Sequence, residues 1–154
     1  EYVFVSNHGK IAFFDEDHGF SEQLAFWPMF KHDAYNTEYL PPLCRGEGTW
    51  GFGLTEPTAG SDAGGSKTEA VPDGDSWVLN GSKIFITNAA SDMAMGVTVQ
   101  AVTGERADGK PEYTCFLVER GMRGFKAVPM KKKMMWRSSD TAELYFDDVR
   151  VPAE

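Results

Sequence analysis

Short runs with the alternation of β-strands, separated by turn dipeptides, make up the sequence from about Thr49 onward. Asp73-Gly74 separates TEAVP from SWVLN, and Asn80-Gly81 separates WVL from SKIFIT. Both dipeptides readily supply the positive φ of a tight hairpin, so each predicts two antiparallel strands joined by a short turn. The pattern therefore predicts a mainly β fold, an antiparallel β-barrel or sandwich, preceded by a short helical segment.

The first 40 residues have a different character. Residues 1–14 alternate loosely, which is typical of a short strand or an irregular arm. Residues 20–40 predict two helical pieces interrupted at Pro28. The second piece is expected to end at Leu40-Pro41-Pro42, because proline disrupts the interior of a helix.

The composition limits the kinds of partner that the chain can take. With 154 residues, 42% of them hydrophobic, it can bury one core. A net charge of -8 is unsuited to a nucleic-acid surface, which needs clustered Lys and Arg, and Lys131–Lys133 is interpreted as a solvated strand edge. No apolar stretch has the length of a membrane span, and the first ten residues lack the order of a signal peptide.

The cysteines and histidines indicate neither a disulfide nor a metal site. Cys44 and Cys115 lie far apart and form no Cys-x-x-Cys pair, which favours buried, reduced thiols. The three histidines lack the spacing of metal ligands, so we expect no metal. We therefore expect an intracellular protein, cytoplasmic or, in a eukaryote, in the mitochondrial matrix, and any targeting segment lies outside this sequence.

GSKIFITN is the first stretch that could carry chemistry. A period of two places Lys83, Phe85 and Thr87 on one face of a strand and Ile84 and Ile86 on the other. If the isoleucines fill the core, Phe85 and Thr87 form a flat apolar surface beside a hydroxyl, suited to a planar heterocycle. Packing in an ordinary strand explains the same pattern.

The second such stretch is the loop GLTEPTAGSDAGGSK. Thr55 and Ser61 offer hydroxyls, and its glycines, Gly60 among them, let backbone amides approach a ligand closely. The alternative is a bend in which Ser and Asp side chains bind local amides.

Three stretches in this order, GLTEPTAGSDAGG, DGDSWVLNGSKIFITN and RSSDTAELYFDDVRVP, closely resemble the flavin-dependent acyl-CoA dehydrogenase family. Gly53–Gly65 satisfies every position of a signature of that family. The resemblance implies that residues 48–154 are the middle β-barrel domain, which binds flavin and acyl-CoA. Residues 1–47 would then be the poorly matched end of the N-terminal helical domain, and the C-terminal helical domain would be absent.

The resemblance also implies the residues that bind FAD. Thr55 would bond the pyrimidine side of the flavin, Thr87 would approach flavin N5, and Phe85, where the family often has Trp, would cover the ring. Ser61 would also line the thioester end of the substrate, and Glu56 is expected to have a structural role instead. The full set of implied FAD-binding positions is Phe52, Leu54, Thr55, Gly60, Ser61, Phe85, Ile86 and Thr87.

The chemistry implied by the resemblance is α,β-dehydrogenation of an acyl-CoA thioester, with hydride transfer to flavin N5 and electrons passed to an electron-transfer flavoprotein. The family's catalytic base is a Glu of the C-terminal domain, so we expect no catalytic residue in this chain and no activity from it alone. Homo-oligomers are common in the family. Two alternatives stay open: an acyl-CoA oxidase-like enzyme on the same fold, and a non-catalytic flavin- or CoA-binding or assembly module.

Overall fold

The structure is a computed structural model that describes residues 2–5, 11–15, 19–21 and 39–153. The chain divides into two compact units, Glu1–Gly46 with Glu154, and Glu47–Ala153. In the first unit, β1 (Tyr2–Val5), β2 (Ile11–Asp15) and β3 (Gly19–Ser21) form an antiparallel sheet in that order. The same unit contains one short helix among its described residues, α1 (Leu40–Cys44).

The helical prediction for residues 20–40 is wrong where the structure tests it. Gly19–Ser21 is a strand, and α1 begins at Leu40, where the second helical piece was predicted to end. The prolines lie at the start of α1, where a missing N–H costs no helical hydrogen bond. Residues 22–38 lie outside the described residues. The assignment of residues 1–47 to a helical domain therefore stays a prediction.

The second unit is built on a seven-stranded sheet. Its strands are β4 (Thr49–Gly53), β5 (Glu69–Asp73), β6 (Ser76–Thr87), β7 (Ala94–Glu105), β8 (Pro111–Glu119), β9 (Phe125–Pro129) and β10 (Thr141–Pro152). The hydrogen-bonded order is β4-β7-β5-β6-β10-β9, and β8 pairs with the other edge of β7. The curled sheet confirms the mainly β prediction. No helix among the described residues is long and apolar enough to cross a membrane.

Most strand pairs of this sheet are antiparallel, as predicted, but two are parallel. β4 runs parallel to the first half of β7, and β5 meets the far end of β7, also in parallel, at Glu69 and Val102. All other pairings in this sheet are antiparallel. The reason is topological: the β5–β6 hairpin intervenes between β4 and β7, and the chain returns to pair β7 beside β4 in the same direction.

One of the two predicted hairpins is present. Gly74, with φ of 67°, lies in the turn between β5 and β6, as Asp73-Gly74 predicts. Asn80-Gly81 does not turn, because β6 continues through it. Gly81 instead permits a close approach, since a Cβ there would lie 2.7 Å from Oγ1 and 2.8 Å from Cα of Thr68. Gly81 is therefore required by close packing and by its φ of 143°, not by a turn.

Apolar side chains of β6, β7, β8 and β10 form one core. The fully buried members include Leu79, Val97, Val99, Val118, Leu144 and Val149. This core includes Ile86 in the second half of β6, and the loop after β4 lies beside that half. Those two segments carry the residues predicted to bind a cofactor.

Candidate functional site

The second half of β6 has an edge that no strand covers. β5 pairs with β6 only as far as Asn80, and beyond that point the start of the loop after β4 takes its place. Ile84 N donates to Thr55 O at 2.8 Å, and Lys83 Nζ donates to Leu54 O at 3.1 Å. The structure therefore brings the two predicted flavin-binding segments into direct contact.

A bulge in β6 changes which side chains face outward. In the pairing with β10, Lys83 lies opposite Leu144 and Ile86 opposite Ala142, so Ile84 and Phe85 together oppose only Glu143. Such an extra residue reverses the alternation beyond it. Phe85 adopts a φ of 63°, which is rare for a residue with a Cβ. This conformation is a sign of local strain in β6, within one of the two predicted cofactor segments.

The exposure of these side chains follows from the bulge and corrects one prediction. Phe85 and Thr87 are exposed and Ile86 is buried, as the alternation predicts, and Ile84 is half-buried. Lys83 was predicted to share the outward face, yet it is 1% exposed. The error arises because alternation assumes an uninterrupted ladder, and nothing in the residues of SKIFIT indicates a bulge.

A second exposed aromatic ring lies on β4. Phe52 is 52% exposed and Phe85 60% exposed, both unusually open for large apolar side chains. Gly51, next to Phe52, packs so closely on β6 that a Cβ would lie 3.2 Å from Cγ2 of Ile86 and from the backbone oxygen of Thr87. The absence of a side chain at Gly51 thus lets β4 lie against β6.

The glycine-rich loop begins with a tight turn. Glu56 and Ala59 exchange backbone hydrogen bonds of 2.9 and 3.2 Å across Pro57 and Thr58. Gly60 and Ser61 follow on the exposed surface, and a Cβ on Gly60 would meet no atom within 4 Å. The backbone at Gly60 is therefore open to a ligand, as the cradle interpretation requires.

The far end of the loop is anchored to the sheet. Ala63–Gly65 forms a short 3₁₀ turn, and the Tyr113 hydroxyl on β8 donates to Gly64 O at 2.6 Å. Leu54 and Thr55 are half-buried at the start of the loop. The loop therefore has both ends fixed and an exposed centre.

Glu56 has the structural role that was predicted for it. Its carboxylate is buried and accepts the Lys67 amide at 2.7 Å, the Thr68 amide at 2.9 Å and Lys83 Nζ at 2.9 Å. Burial raises the pKa of this carboxyl, but the hydrogen bonds from Lys83, Thr68 and Lys67 outweigh it and hold the pKa at about 2. Glu56 is therefore an ionised clamp across the base of the loop.

Lys83 is the functional candidate that the sequence interpretation missed. Besides Leu54 O and Glu56, its ammonium lies 3.5 Å from Ser66 Oγ. Burial lowers the pKa of Lys83 from its ordinary value, and the Glu56 carboxylate opposes that shift. Lys83 and Glu56 are 27 positions apart, so no local spacing pairs them. A lysine directly before the apolar run Ile84–Ile86 was the one available signal.

Asp140 fixes the turn that follows β6. Its carboxylate accepts the amides of Ala90 and Ser91 at 2.8 and 2.9 Å, just beyond Asn88, which has a φ of 62°. Asp140 belongs to RSSDT, at the start of the third stretch that resembles the family, and these contacts give it a structural role. Among the described residues, no cluster of His, Cys, Asp and Glu could hold a metal ion.

The fold is a mainly β domain in which the glycine-rich loop contacts the bulged half of β6. The family described as acyl-CoA dehydrogenase, middle domain, matches residues 51–149. The chain belongs to the acyl-CoA dehydrogenase family.

Individual relatives agree with this assignment. The probable acyl-CoA dehydrogenase YngJ of Bacillus subtilis is 47% identical over 124 residues, which cover 80% of this chain and 32% of the relative. The short-chain specific acyl-CoA dehydrogenase of Clostridium acetobutylicum is 39% identical over 153 residues, 99% of this chain and 36% of the relative. The chain thus spans about a third of the length of these relatives.

A solved structure shows the same fold. The glutaryl-CoA dehydrogenase of Mycobacterium smegmatis in complex with FADH2 superposes with a TM-score of 0.68 at 41% identity. The match covers 75% of this chain and 28% of the other. At this identity the likeness concerns the family as well as the fold.

Proposed function

We propose that residues 48–154 are the middle domain of an FAD-dependent acyl-CoA dehydrogenase that oxidises the Cα–Cβ bond of an acyl-CoA thioester. The observation that carries the proposal is the contact between the two predicted cofactor segments, made by Ile84 N and Thr55 O. It sets an exposed aromatic ring, Phe85, beside a loop whose backbone is open at Gly60. Family membership supports the same assignment.

The residues of the glycine-rich loop and of the second half of β6 fit the chemistry of FAD. Phe85 offers an apolar surface to an aromatic ring system, and the hydroxyls of Thr55 and Thr87 can bond its polar edge. The open backbone at Gly60 and the hydroxyl of Ser61 suit phosphate or carbonyl oxygens, with Ser61 also toward the thioester. The proposed FAD-binding set is Phe52, Leu54, Thr55, Gly60, Ser61, Phe85, Ile86 and Thr87.

Bound there, FAD would supply the acceptor for the hydride that leaves the β-carbon of the substrate. The chain's own part is to hold the ring, exclude water from one of its faces and donate hydrogen bonds to its edge. The general base would be a Glu of a C-terminal helical domain, and residues 1–47 would end an N-terminal one. The proposed partners are acyl-CoA, an electron-transfer flavoprotein and further copies of the chain. The proposed location is the cytoplasm or, in a eukaryote, the mitochondrial matrix.

The test is the visible spectrum of the full-length protein, recorded without oxygen before and after adding acyl-CoAs of graded length. We expect a yellow protein that one class of thioester bleaches. Thr87→Val, which removes the hydroxyl and keeps the shape, should slow bleaching about three- to tenfold, the effect of one hydrogen bond. Thr103→Val on β7 is the matched control and should bleach at the parental rate.

Other outcomes would overturn parts of the proposal. A colourless protein that takes up no added FAD would contradict it entirely. A yellow protein that no acyl-CoA bleaches would indicate a binding module. Rapid return of colour on admitting air would indicate an oxidase in place of a dehydrogenase.

A further inference from the structure

We propose that Glu56 and Lys83 are positioning residues that set the spacing between the glycine-rich loop and β6, and thereby the fit of the flavin. This inference rests on the proposed function. Neither residue belongs to the set expected to touch the cofactor. Both would act through Thr55 and Phe85, which flank the contact between the two segments.

The contacts of the pair join three parts of the chain. Lys83 Nζ, from β6, bonds Leu54 O at 3.1 Å and Glu56 Oε1 at 2.9 Å. The Glu56 carboxylate also holds the amides of Lys67 and Thr68, where the loop returns to the sheet. One ion pair therefore closes the base of the loop and attaches the closed loop to the strand.

Burial makes this pair unusual and argues that stability alone does not account for it. The Lys83 and Glu56 side chains are 0% and 4% exposed, so both charges have left water. Removing a charge from water carries a large energetic cost, and a well-packed apolar pair of similar size is often as stable. The pair does, however, fix geometry, because charged hydrogen bonds are directional and cannot slide as apolar contacts do.

The position of the pair shows which geometry it fixes. Two successive backbone oxygens of the loop, those of Leu54 and Thr55, bond to β6 through Lys83 Nζ and Ile84 N. The bulge and the positive φ of Phe85 follow immediately. If Lys83 released Leu54 O, the segment would keep the Ile84 bond alone and could pivot about it. Thr55 would then shift relative to Phe85.

The experiment uses three variants of the full-length protein: Lys83→Met, Glu56→Gln and the double variant. The dissociation constant for FAD is measured by quenching of its fluorescence as the apoprotein is titrated, and the flavin absorption spectrum is recorded at saturation. Thermal unfolding of each apoprotein is followed separately. Arg150→Met is the matched control, because it breaks the exposed Arg150–Asp73 pair of the same sheet, whose side chains are 63% and 55% exposed.

We expect each single variant to raise the dissociation constant for FAD about tenfold or more, which corresponds to loss of one well-placed contact. The flavin band should also shift or lose its fine structure. Arg150→Met should stay within about twofold of the parent, since exposed pairs contribute little.

The double variant separates positioning from stability. It leaves no unpaired buried charge, so its apoprotein should unfold at a higher temperature than either single variant. A positioning role predicts that it still binds FAD weakly, with an altered spectrum. If it regains parental affinity together with stability, the positioning role is overturned. If the single variants fail to fold, the FAD affinity and spectrum of the double variant, compared with those of the parent, decide whether the pair has a positioning role.

The two proposals fail in different ways. If the parent protein binds no FAD, the proposed function is overturned and this inference with it. If the parent binds FAD and all three variants bind it with the parental affinity and spectrum, the inference alone is overturned.

Discussion

The two halves of β6 are built from different interactions. Ser76–Asn80 lies between β5 and β10, both antiparallel, and buries Leu79 completely. Trp77 adds a ring contact with Phe116 at a centroid distance of 5.6 Å. Gly81–Thr87 keeps β10 on one side but meets a loop on the other, buries the charged Lys83 and exposes Phe85.

The difference separates a half that is built like an ordinary strand from a half that departs from one. The first half follows most rules of an ordinary strand: a hairpin turn, an unbroken ladder with β5 and an apolar core residue. Its ladder with β10 is shifted only at Asn80, which Asp147 and Asp148 oppose together. The second half breaks several of these rules within a few residues, with a bulge, a positive φ and a buried charge. Local violations of this kind concentrate at functional sites. The comparison therefore supports the proposal that Gly81–Thr87 is the half of the strand that binds the cofactor.

Truncation of Leu79 should have the largest effect on stability. Leu79→Ala leaves a cavity in a fully buried site, so we expect a loss of about 2–5 kcal/mol in the free energy of opening of β6. Hydrogen exchange of peptides from β5 and β6 in the full-length protein measures that loss. Val71→Ala, at a side chain that is 54% exposed, is the control and should change it by about 0.5 kcal/mol or less. If the two substitutions had equal effects, Leu79 would not anchor the first half of β6 in the core.

Acid should weaken the second half of β6 and spare the first. The Glu56 pKa is about 2 in the fold, below its ordinary value of 4.5, so the carboxylate contributes stability that is complete well above pH 4.5. That stability is lost as the pH falls from about 4.5 toward 2, and by pH 3 about 2 kcal/mol should be gone.

Hydrogen exchange, corrected for the intrinsic effect of pH, should therefore show the loop and Gly81–Thr87 opening before Ser76–Asn80. Glu56→Gln has no such proton to gain and is the control. Its exchange in these segments should change less between pH 6 and pH 3 than that of the parent. A parent protein with no more acid dependence than Glu56→Gln would contradict the ionised clamp.

The same division separates what could be predicted from the sequence from what could not. The turn at Gly74 and the outward Phe85 follow from local signals, a turn dipeptide and an alternation. The buried state of Lys83 depends on the bulge opposite Glu143, and that bulge is set by pairing with a distant strand. Alternation considers only neighbours along the chain, so it cannot predict a bulge that depends on pairing with another strand.

The site was predictable only in part for a similar reason. The contact between Thr55 and Ile84 requires that the pairing of β5 with β6 end at Asn80. No residue of either segment indicates that this pairing ends there. The resemblance to a family supplied the pairing of the two stretches that local reasoning had left as alternatives. The resemblance did not indicate Lys83, because it implies only residues that would contact the cofactor, and Lys83 is buried beneath them.

Replacement of Phe85 should have the smallest effect on stability and the clearest effect on binding. Glycine relieves a positive φ that costs other residues about 1–2 kcal/mol, and this gain offsets the entropy of about 0.5–1 kcal/mol that glycine loses on folding. The ring is 60% exposed, so little burial is lost. Phe85→Gly should therefore match the parent in stability and exceed Phe85→Ala, the reverse of the order in a regular strand.

Both variants should bind FAD about tenfold more weakly than the parent, because the aromatic surface is gone. Phe85→Trp keeps that surface and should retain the parental affinity. The measurements are hydrogen exchange of the β6 peptide and FAD titration of the apoprotein. If alanine proves more stable than glycine at position 85, the backbone there is unstrained, and the second half of β6 loses its main departure from an ordinary strand. If glycine binds FAD as well as phenylalanine does, the exposed ring serves some purpose other than the cofactor.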